Sequence, residues 1–313
     1  MVPSAADISN AHERIKPYIH RTSVLSSRII DEIAECNLFF KCENFQKVGA
    51  FKARGATNAV FSLSESDASQ GVATHSSGNH AAALAYASAL RGIKNHIVMP
   101  ENSSAVKIAA VKHYGGNITF CKPTLQARED TLNEILEKSG AIEIHPYNNL
   151  QIIAGQATAC KELLEEITDP DYIVAPVGGG GLLSGTALSA AYFGKNIRVI
   201  AAEPAGADDA LKSFNSKTFI PQRDPKTIAD GLLTSLGTIT FPIILEHVHQ
   251  ILTASDTEII AAMKLIWERM KIIVEPSSAV TLAIILRNKE IFADKKVGII
   301  LSGGNVDLTK LPW

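Results

Sequence analysis

Cysteine is scarce in this chain and poorly placed for chemistry. Cys36, Cys42, Cys121 and Cys160 are scattered, with no C-x-x-C pair. That argues against a disulfide frame or a thiolate zinc site and for free thiols in a reducing compartment. Long apolar runs are also missing, since nothing approaches the ~18 residues of a membrane-spanning helix. The opening "MVPSAADISNAHERIK" lacks the basic end and apolar middle of a secretion signal, so a cytoplasmic protein is expected. Neither sign of charge dominates: 30 basic residues face 32 acidic ones with no long block of either. Nucleic acid and anionic membranes are therefore not expected partners. Repeats and low-complexity linkers are absent as well. What remains is an ordinary globular composition, 46% hydrophobic over 313 residues, enough for two lobes or one large α/β domain.

Short β-rich runs alternate with helical patterns. Strands are expected at 71–77, 95–100, 117–121, 141–146, 171–177, 198–204 and 296–304, with helix-length stretches such as "NHAAALAYASALRG" and "TEIIAAMKLIWERMK" between some of them. This alternation predicts an α/β fold with a mostly parallel sheet, and the nearly continuous apolar strands predict helices on both faces. Ligands in such folds lie beyond the carboxyl ends of strands, so the turns there carry the functional information.

Three turns stand out. "GGGGLLSG" places Gly178, Gly179, Gly180 and Gly181 between a strand and a helix. Their exposed amides at a helix N-terminus suit a phosphate dianion. No lysine follows as in a P-loop, and the G-x-G-x-x-G register fails. "HSSGNH" sets Ser76, Ser77 and Asn79 at another helix start. One of these serines would serve as an N-cap, but the whole cluster reads as a cradle for a carboxylate. "SGGN" closes the last strand with Ser302. His75 and His80 lack a neighbouring carboxylate in sequence and are not expected to bind metal.

The remaining singular residue is Lys52, in "VGAFKARGA" with Gly49 and Gly55 on either side. The glycines suggest backbone brought close to a reactive amine, and desolvation beside Phe51 would lower the lysine pKa. A phosphate cradle, a carboxylate cradle and a buried lysine are the three requirements of pyridoxal 5'-phosphate acting on an amino acid. A nicotinamide dehydrogenase would use the glycine loop but leave Lys52 and "SSGNH" unexplained. A non-catalytic amino-acid sensor would not need a second proton-transfer group.

Taken together, "FQKVGAFKARGA", "HSSGNHAAALAYA", "PVGGGGLLSG", "EPAGADDA", "TIADG" and "LSGGNVDL" resemble the fold-type II pyridoxal-phosphate enzymes, in particular their serine racemase and threonine dehydratase branch. The motifs run in family order from about residue 10 to the C-terminus. The resemblance implies that Lys52 carries the cofactor, Phe51 packs on its ring and Asn79 bonds its 3-hydroxyl. It further implies that Gly178 to Gly181 hold the phosphate and that Ser302 faces the pyridine nitrogen. A neutral hydroxyl there suits racemisation or β-elimination better than transamination. Lys52 and Ser77 would exchange protons on opposite faces of the substrate Cα, and Ser76, Asn79, His80 and Arg128 would bind the substrate. The implied activity is interconversion of L- and D-serine, with elimination to pyruvate and ammonia. The alternatives are dehydration of L-threo-3-hydroxyaspartate, or of threonine and serine without a regulatory domain.

The resemblance also implies a hard-cation site, Mg²⁺ or else Ca²⁺ or Mn²⁺, at Glu203, Asp209 and the Ala207 carbonyl. It implies a homodimer and, from "ENFQK" and Tyr114, ATP as an allosteric activator. Two lobes are expected, with a small mobile one at 72–146 inserted into a large one made of 1–71 and 147–313.

Overall fold

The computed structural model describes residues 2–313 apart from Ser77. Among the described residues ten strands form two sheets: β1 (Val24–Leu25), β2 (Asn37–Cys42), β3 (Val72–His75), β4 (Asn95–Pro100), β5 (Ile118–Cys121), β6 (Ile142–Glu143), β7 (Tyr172–Pro176), β8 (Arg198–Pro204), β9 (Gln250–Ala254) and β10 (Lys296–Leu301). The six-stranded sheet has the order β1-β2-β10-β7-β8-β9 and the four-stranded one β5-β4-β3-β6. Every pairing is parallel except β1 with β2. The four-stranded sheet uses only residues between 72 and 143, whereas the larger sheet draws strands from both sides of that segment. The chain thus belongs to the α/β class, with two separate, mostly parallel sheets.

The period-two alternation of the strands distributes their side chains between two cores. Val297, Ile299 and Leu301 of β10 enter one cluster, packed by the helices Asp256–Met270 and Pro276–Arg287. Ile300 enters the other with Ile173 and Ala175 of β7, under the helices Leu150–Glu166 and Gly181–Phe193. Burial on both faces explains why these strands are apolar almost throughout. In the smaller sheet Val72, Ile97 and Met99 face one cluster and Ala73 and Val98 the other.

The helix Lys52–Phe61 crosses the helix Leu150–Glu166 at very short range. A Cβ on Gly155 would stand 2.6 Å from the Gly55 Cα, and one on Gly55 would stand 2.4 Å from the Gln156 amide. This corrects the sequence reading of Gly55, which serves a helix crossing and not the approach of a ligand to Lys52. Gly49 differs, since its φ of +69° places it in the left-handed region.

Below the start of the same helix lies a buried ionic network. Arg54 donates from Nε to Glu43 Oε2 at 2.6 Å and from Nη1 and Nη2 to the two Glu162 oxygens at 2.8 Å each. Lys41 pairs with Glu162 at 2.7 Å. Burial disfavours the Arg54 charge, but its two carboxylate partners outweigh that and keep it firmly protonated. Two cations and two anions balance here, so the network costs little net charge while fixing the Lys52 helix against β2 and its neighbours.

Candidate active site

The carboxyl ends of β10, β7 and β3 converge with the start of the Lys52 helix. The Phe51 N–H donates to the Ser302 carbonyl at 2.9 Å, and Ala50 forms a bridge with Gly303. Ser302, buried just beyond β10, is therefore held beside Phe51 and Lys52. The Lys52 Nζ donates to the Pro146 carbonyl at 2.8 Å. Burial lowers its pKa from 10.5 to about 8, with the nearby Glu275 carboxylate opposing the shift. A buried amine whose free fraction is raised in this way has the character of a nucleophile and proton acceptor.

Residue 147 connects this lysine to the glycine loop. A Cβ on Gly179 would lie 2.3 Å from the Tyr147 ring, and one on Gly181 would lie 2.9 Å from the Tyr147 Cβ. Gly178 meets the Leu232 backbone, and Gly180 takes a φ of +87° beside Thr240. Each of the four thus has a local steric reason. The helix that follows, Gly181–Phe193, starts at Gly180 with no side-chain cap. Its first amides are left for a ligand, as a phosphate dianion requires. The uncapped helix, the small-residue cradle and the buried lysine fit pyridoxal phosphate together.

Asn79 begins the helix Asn79–Arg91 and is fixed on both sides. Its Nδ2 donates to both Glu275 oxygens, at 3.0 and 3.2 Å, and its Oδ1 accepts from Asn305 Nδ2 at 2.8 Å. Glu275 is 4% exposed, and burial with the adjacent Asp230 charge raises its pKa to about 7, against the opposing Asn79 bond. Sequence reasoning missed this acid. Its only sequence signal was the dipeptide Glu275–Pro276 at a helix start, which reads as ordinary capping.

Ser76 follows β3, with its N–H on the Val98 carbonyl. Ser77, expected to be the second proton-transfer residue, lies outside the described residues. His80 is buried and its Nε2 bonds the Ile144 carbonyl at 3.0 Å, so it stands behind the cleft wall with Nδ1 unpaired among the described residues. Arg128 sits in the first turn of the helix Leu125–Ser139, and its charge reaches both His75 and Tyr147.

At the expected cation site, Glu203, next to last in β8, accepts the Ala210 and Leu211 N–H groups at 2.8 and 2.9 Å. It therefore caps the helix Asp209–Ser216, a role the sequence reading did not assign. Burial raises Glu203 to about 8 and Asp209 to about 7. Asp209 Oδ2 is buried and has no partner among the described residues. Among those residues no group of three or more His, Cys, Asp or Glu is spaced to hold a metal. Two desolvated carboxylates, one with an orphaned oxygen, plus the buried Ala207 carbonyl still fit a hard divalent cation.

The "ENFQK" side chains are largely committed within the chain. Glu43 binds Arg54, Asn44 donates to the Ile273 carbonyl and Gln46 bonds the His20 backbone in both directions. Tyr114 lines a shallow groove with Tyr86 and His113. Across the mouth of the cleft, a cavity of about 270 Å³ is bordered by Asn79, Lys107, Asp230, Asn305 and Lys310, with Lys107 paired to Asp230.

Residues 15–303 match the family described as pyridoxal-phosphate dependent enzyme. The chain is 53% identical over 312 residues to a beta-hydroxyaspartate dehydratase of Paracoccus denitrificans, covering 100% of this chain and 99% of that protein. It is 54% identical over 312 residues to a serine racemase of Dictyostelium discoideum, covering 97% of this chain and 95% of that one. The solved structure of maize serine racemase superposes with a TM-score of 0.97 at 46% identity, covering 99% of this chain and 95% of that one. No helix among the described residues is long and apolar enough to cross a membrane. A buried lysine with a lowered pKa beside an uncapped glycine loop, set in this fold and among these relatives, places the chain in the family of fold-type II pyridoxal-phosphate-dependent enzymes.

Proposed function

We propose that the chain is a serine racemase that also eliminates water from serine, giving pyruvate and ammonia. The observation that carries this is Lys52, a buried amine with a pKa near 8, hydrogen-bonded at the point where the glycine loop, Ser302 and Asn79 meet. Relatives bearing the name serine racemase support the choice of substrate.

Bound pyridoxal phosphate would supply an electron sink that acidifies the substrate Cα–H. The chain's own residues do the rest. Gly178 to Gly181 and the first amides after them would bind the phosphate, Phe51 and Ser302 would hold the ring, and Asn79, oriented by Glu275 and Asn305, would hydrogen-bond its 3-hydroxyl. Ser76 and the amides after it hold the α-carboxylate. Lys52, whose lowered pKa raises the share of free amine, takes the Cα proton on one side, and Ser77 returns a proton on the other. When the β-hydroxyl departs after that first transfer, elimination replaces racemisation. A lobe of residues 72–146 closing on the rest would exclude water during these steps, and the Lys107–Asp230 pair lies where the two parts meet.

Three further features belong to this reading. Glu203, Asp209 and the Ala207 carbonyl would bind Mg²⁺, the active unit would be a homodimer in the cytoplasm, and ATP would activate it. A nucleotide titration that leaves activity unchanged would remove the last of these.

The second reading is L-threo-3-hydroxyaspartate dehydratase, favoured by the similarity to the Paracoccus protein. Purified holoenzyme with Mg²⁺ is given L-serine, D-serine, L-threonine and L-threo-3-hydroxyaspartate in parallel, with chiral chromatography and a keto-acid assay as readouts. D-serine from L-serine, with some pyruvate, is the expected result. Oxaloacetate from hydroxyaspartate with no D-serine would replace the first reading by the second.

A further inference from the structure

Both ends of the cofactor site lean on one short turn, residues 145–148. The Pro146 carbonyl accepts from the Lys52 amine at 2.8 Å. The Tyr147 ring lies against Gly179 and Gly181, so close that a Cβ on Gly179 would come within 2.3 Å of it. Asn148 reaches the same loop by a second route. Its Nδ2 donates to Thr238 Oγ1 at 3.0 Å and its Oδ1 accepts the Ile239 N–H at 2.8 Å, while Thr240 Oγ1 donates to the Gly179 carbonyl at 2.8 Å. The turn thus touches the amine on one side and the glycine loop on the other.

The side chain of His145 shapes that turn. Its Nδ1 accepts the N–H groups of Tyr147 at 3.3 Å and of Asn148 at 2.9 Å. A backbone turn would give the Asn148 N–H to the carbonyl of residue 145; here the ring takes it. Accepting from the second and third residues onward is the habit of an asparagine or aspartate side chain, and Asn149 repeats it with Gln151 and Ile152. A nitrogen that accepts amide protons carries none, so the ring proton is on Nε2. Burial, then the His75 and Lys52 charges, lower the His145 pKa to about 4, so the acceptor persists at pH 7. The ring also meets the Tyr147 ring edge to face, with centroids 4.6 Å apart at 89°, which helps fix the surface presented to the glycines. The flanks are anchored without this residue. The Ile144 N–H donates to the Ala73 carbonyl and the Ile144 carbonyl accepts from His80, while the helix Leu150–Glu166 starts from its Asn149 cap.

We propose that His145 is a positioning residue: by accepting these two amides it sets the separation of the Lys52 amine from the glycine loop, the two points between which the cofactor is held. The inference rests on the proposed roles of Lys52 and of that loop, adds the group that keeps them in register, and is independent of which amino acid is the substrate. It has a particular signature. A ligand that bridges two anchors gains from their fixed separation, whereas a ligand that uses one anchor does not.

The test compares the wild type with its His145→Leu and His145→Asn variants. Leucine fills the space without an acceptor, whereas the smaller asparagine offers Oδ1 to the same two amides. Release of cofactor from diluted holoenzyme, followed by loss of its lysine-bound absorbance, should be about 10- to 100-fold faster in His145→Leu, for two lost hydrogen bonds, and within about threefold of wild type in His145→Asn. The full-length chain is then freed of cofactor and titrated with pyridoxal, which lacks the phosphate, and with inorganic phosphate. Each should bind His145→Leu within about threefold of wild type, because each uses a single anchor. Equal weakening of all three ligands, unchanged release in His145→Leu, or His145→Asn as poor as His145→Leu overturns the proposal. The ¹⁵N histidine spectrum of holoenzyme decides the matter even if His145→Leu fails to fold. The signal that His145→Asn removes should show a bare Nδ1 and a protonated Nε2, and a protonated Nδ1 overturns the proposal too. Lys52→Ala separates the underlying reading: it should lose the pyridoxal absorbance and keep phosphate binding. A band that survives there would sink the role of Lys52, whatever His145 does.

Discussion

The lowered pKa of Lys52 can be read directly from the enzyme stripped of cofactor. A shift from 10.5 to about 8 corresponds to a preference for the neutral amine of roughly 3 kcal/mol. At pH 7 about one molecule in ten then carries a free amine, against about one in three thousand for an ordinary lysine. Recombination of cofactor-free enzyme with pyridoxal phosphate needs that free amine. Its rate, followed by the absorbance of lysine-bound cofactor, should climb close to tenfold per pH unit up to about pH 8 and then level off. Glu275→Gln should move the midpoint downward, because the Glu275 charge is what opposes the shift. Lys52→Ala should show no band and no turnover. A rate still climbing through pH 10 would mean that the lysine is solvated, and the assignment of burial as the dominant cause would be wrong.

Four other results are expected. Gly179→Ala should weaken cofactor binding at least tenfold by equilibrium dialysis, since its methyl meets the Tyr147 ring at 2.3 Å. Adding Tyr147→Ala should restore affinity if that clash is the whole cause, and leave it weak if the loop must itself approach a phosphate. Glu275 has a folded pKa near 7, above its ordinary 4.5, so its contribution to stability is present below pH 4.5 and lost as pH rises through 7. Chemical denaturation of cofactor-free enzyme should show a decline of up to about 3 kcal/mol across that window, which Glu275→Gln flattens. Mg²⁺ should raise the Tm of the wild type and not that of Glu203→Gln; equal rises would place the cation elsewhere. Ser77→Ala should suppress D-serine formation while sparing pyruvate formation, and an equal fall in both would make Ser77 a positioning residue.

The sequence revealed most where chemistry and local pattern coincide. The runs at 95–100 and 198–204 became β4 and β8 with those bounds, because apolar β-branched segments between turns have few other conformations to adopt. The run at 141–146 shrank to Ile142–Glu143, since its second half turns over Lys52. β2 escaped notice because Lys41 interrupts it, and that lysine is fully buried only by virtue of Glu162, more than a hundred residues away. β9 is a five-residue edge strand with polar positions, too weak a signal without its neighbour β8. The same logic governs the site. Lys52, Asn79, the glycines and Ser302 announce themselves through motifs, whereas Glu275 matters only through what folding brings to it. A glutamate before proline is unremarkable until the chain closes.

That division bears on which reaction the enzyme favours. Racemisation and β-elimination share the removal of the Cα proton, so the parts legible in sequence serve both and cannot choose between them. The choice lies beyond Cβ, where a departing hydroxyl must be oriented and any second carboxylate held. Which of the two follows depends on how the Cβ–O bond is held once the Cα proton has left: a bond fixed in the geometry for departure favours elimination, and a loosely held one leaves time for a proton to return on either face.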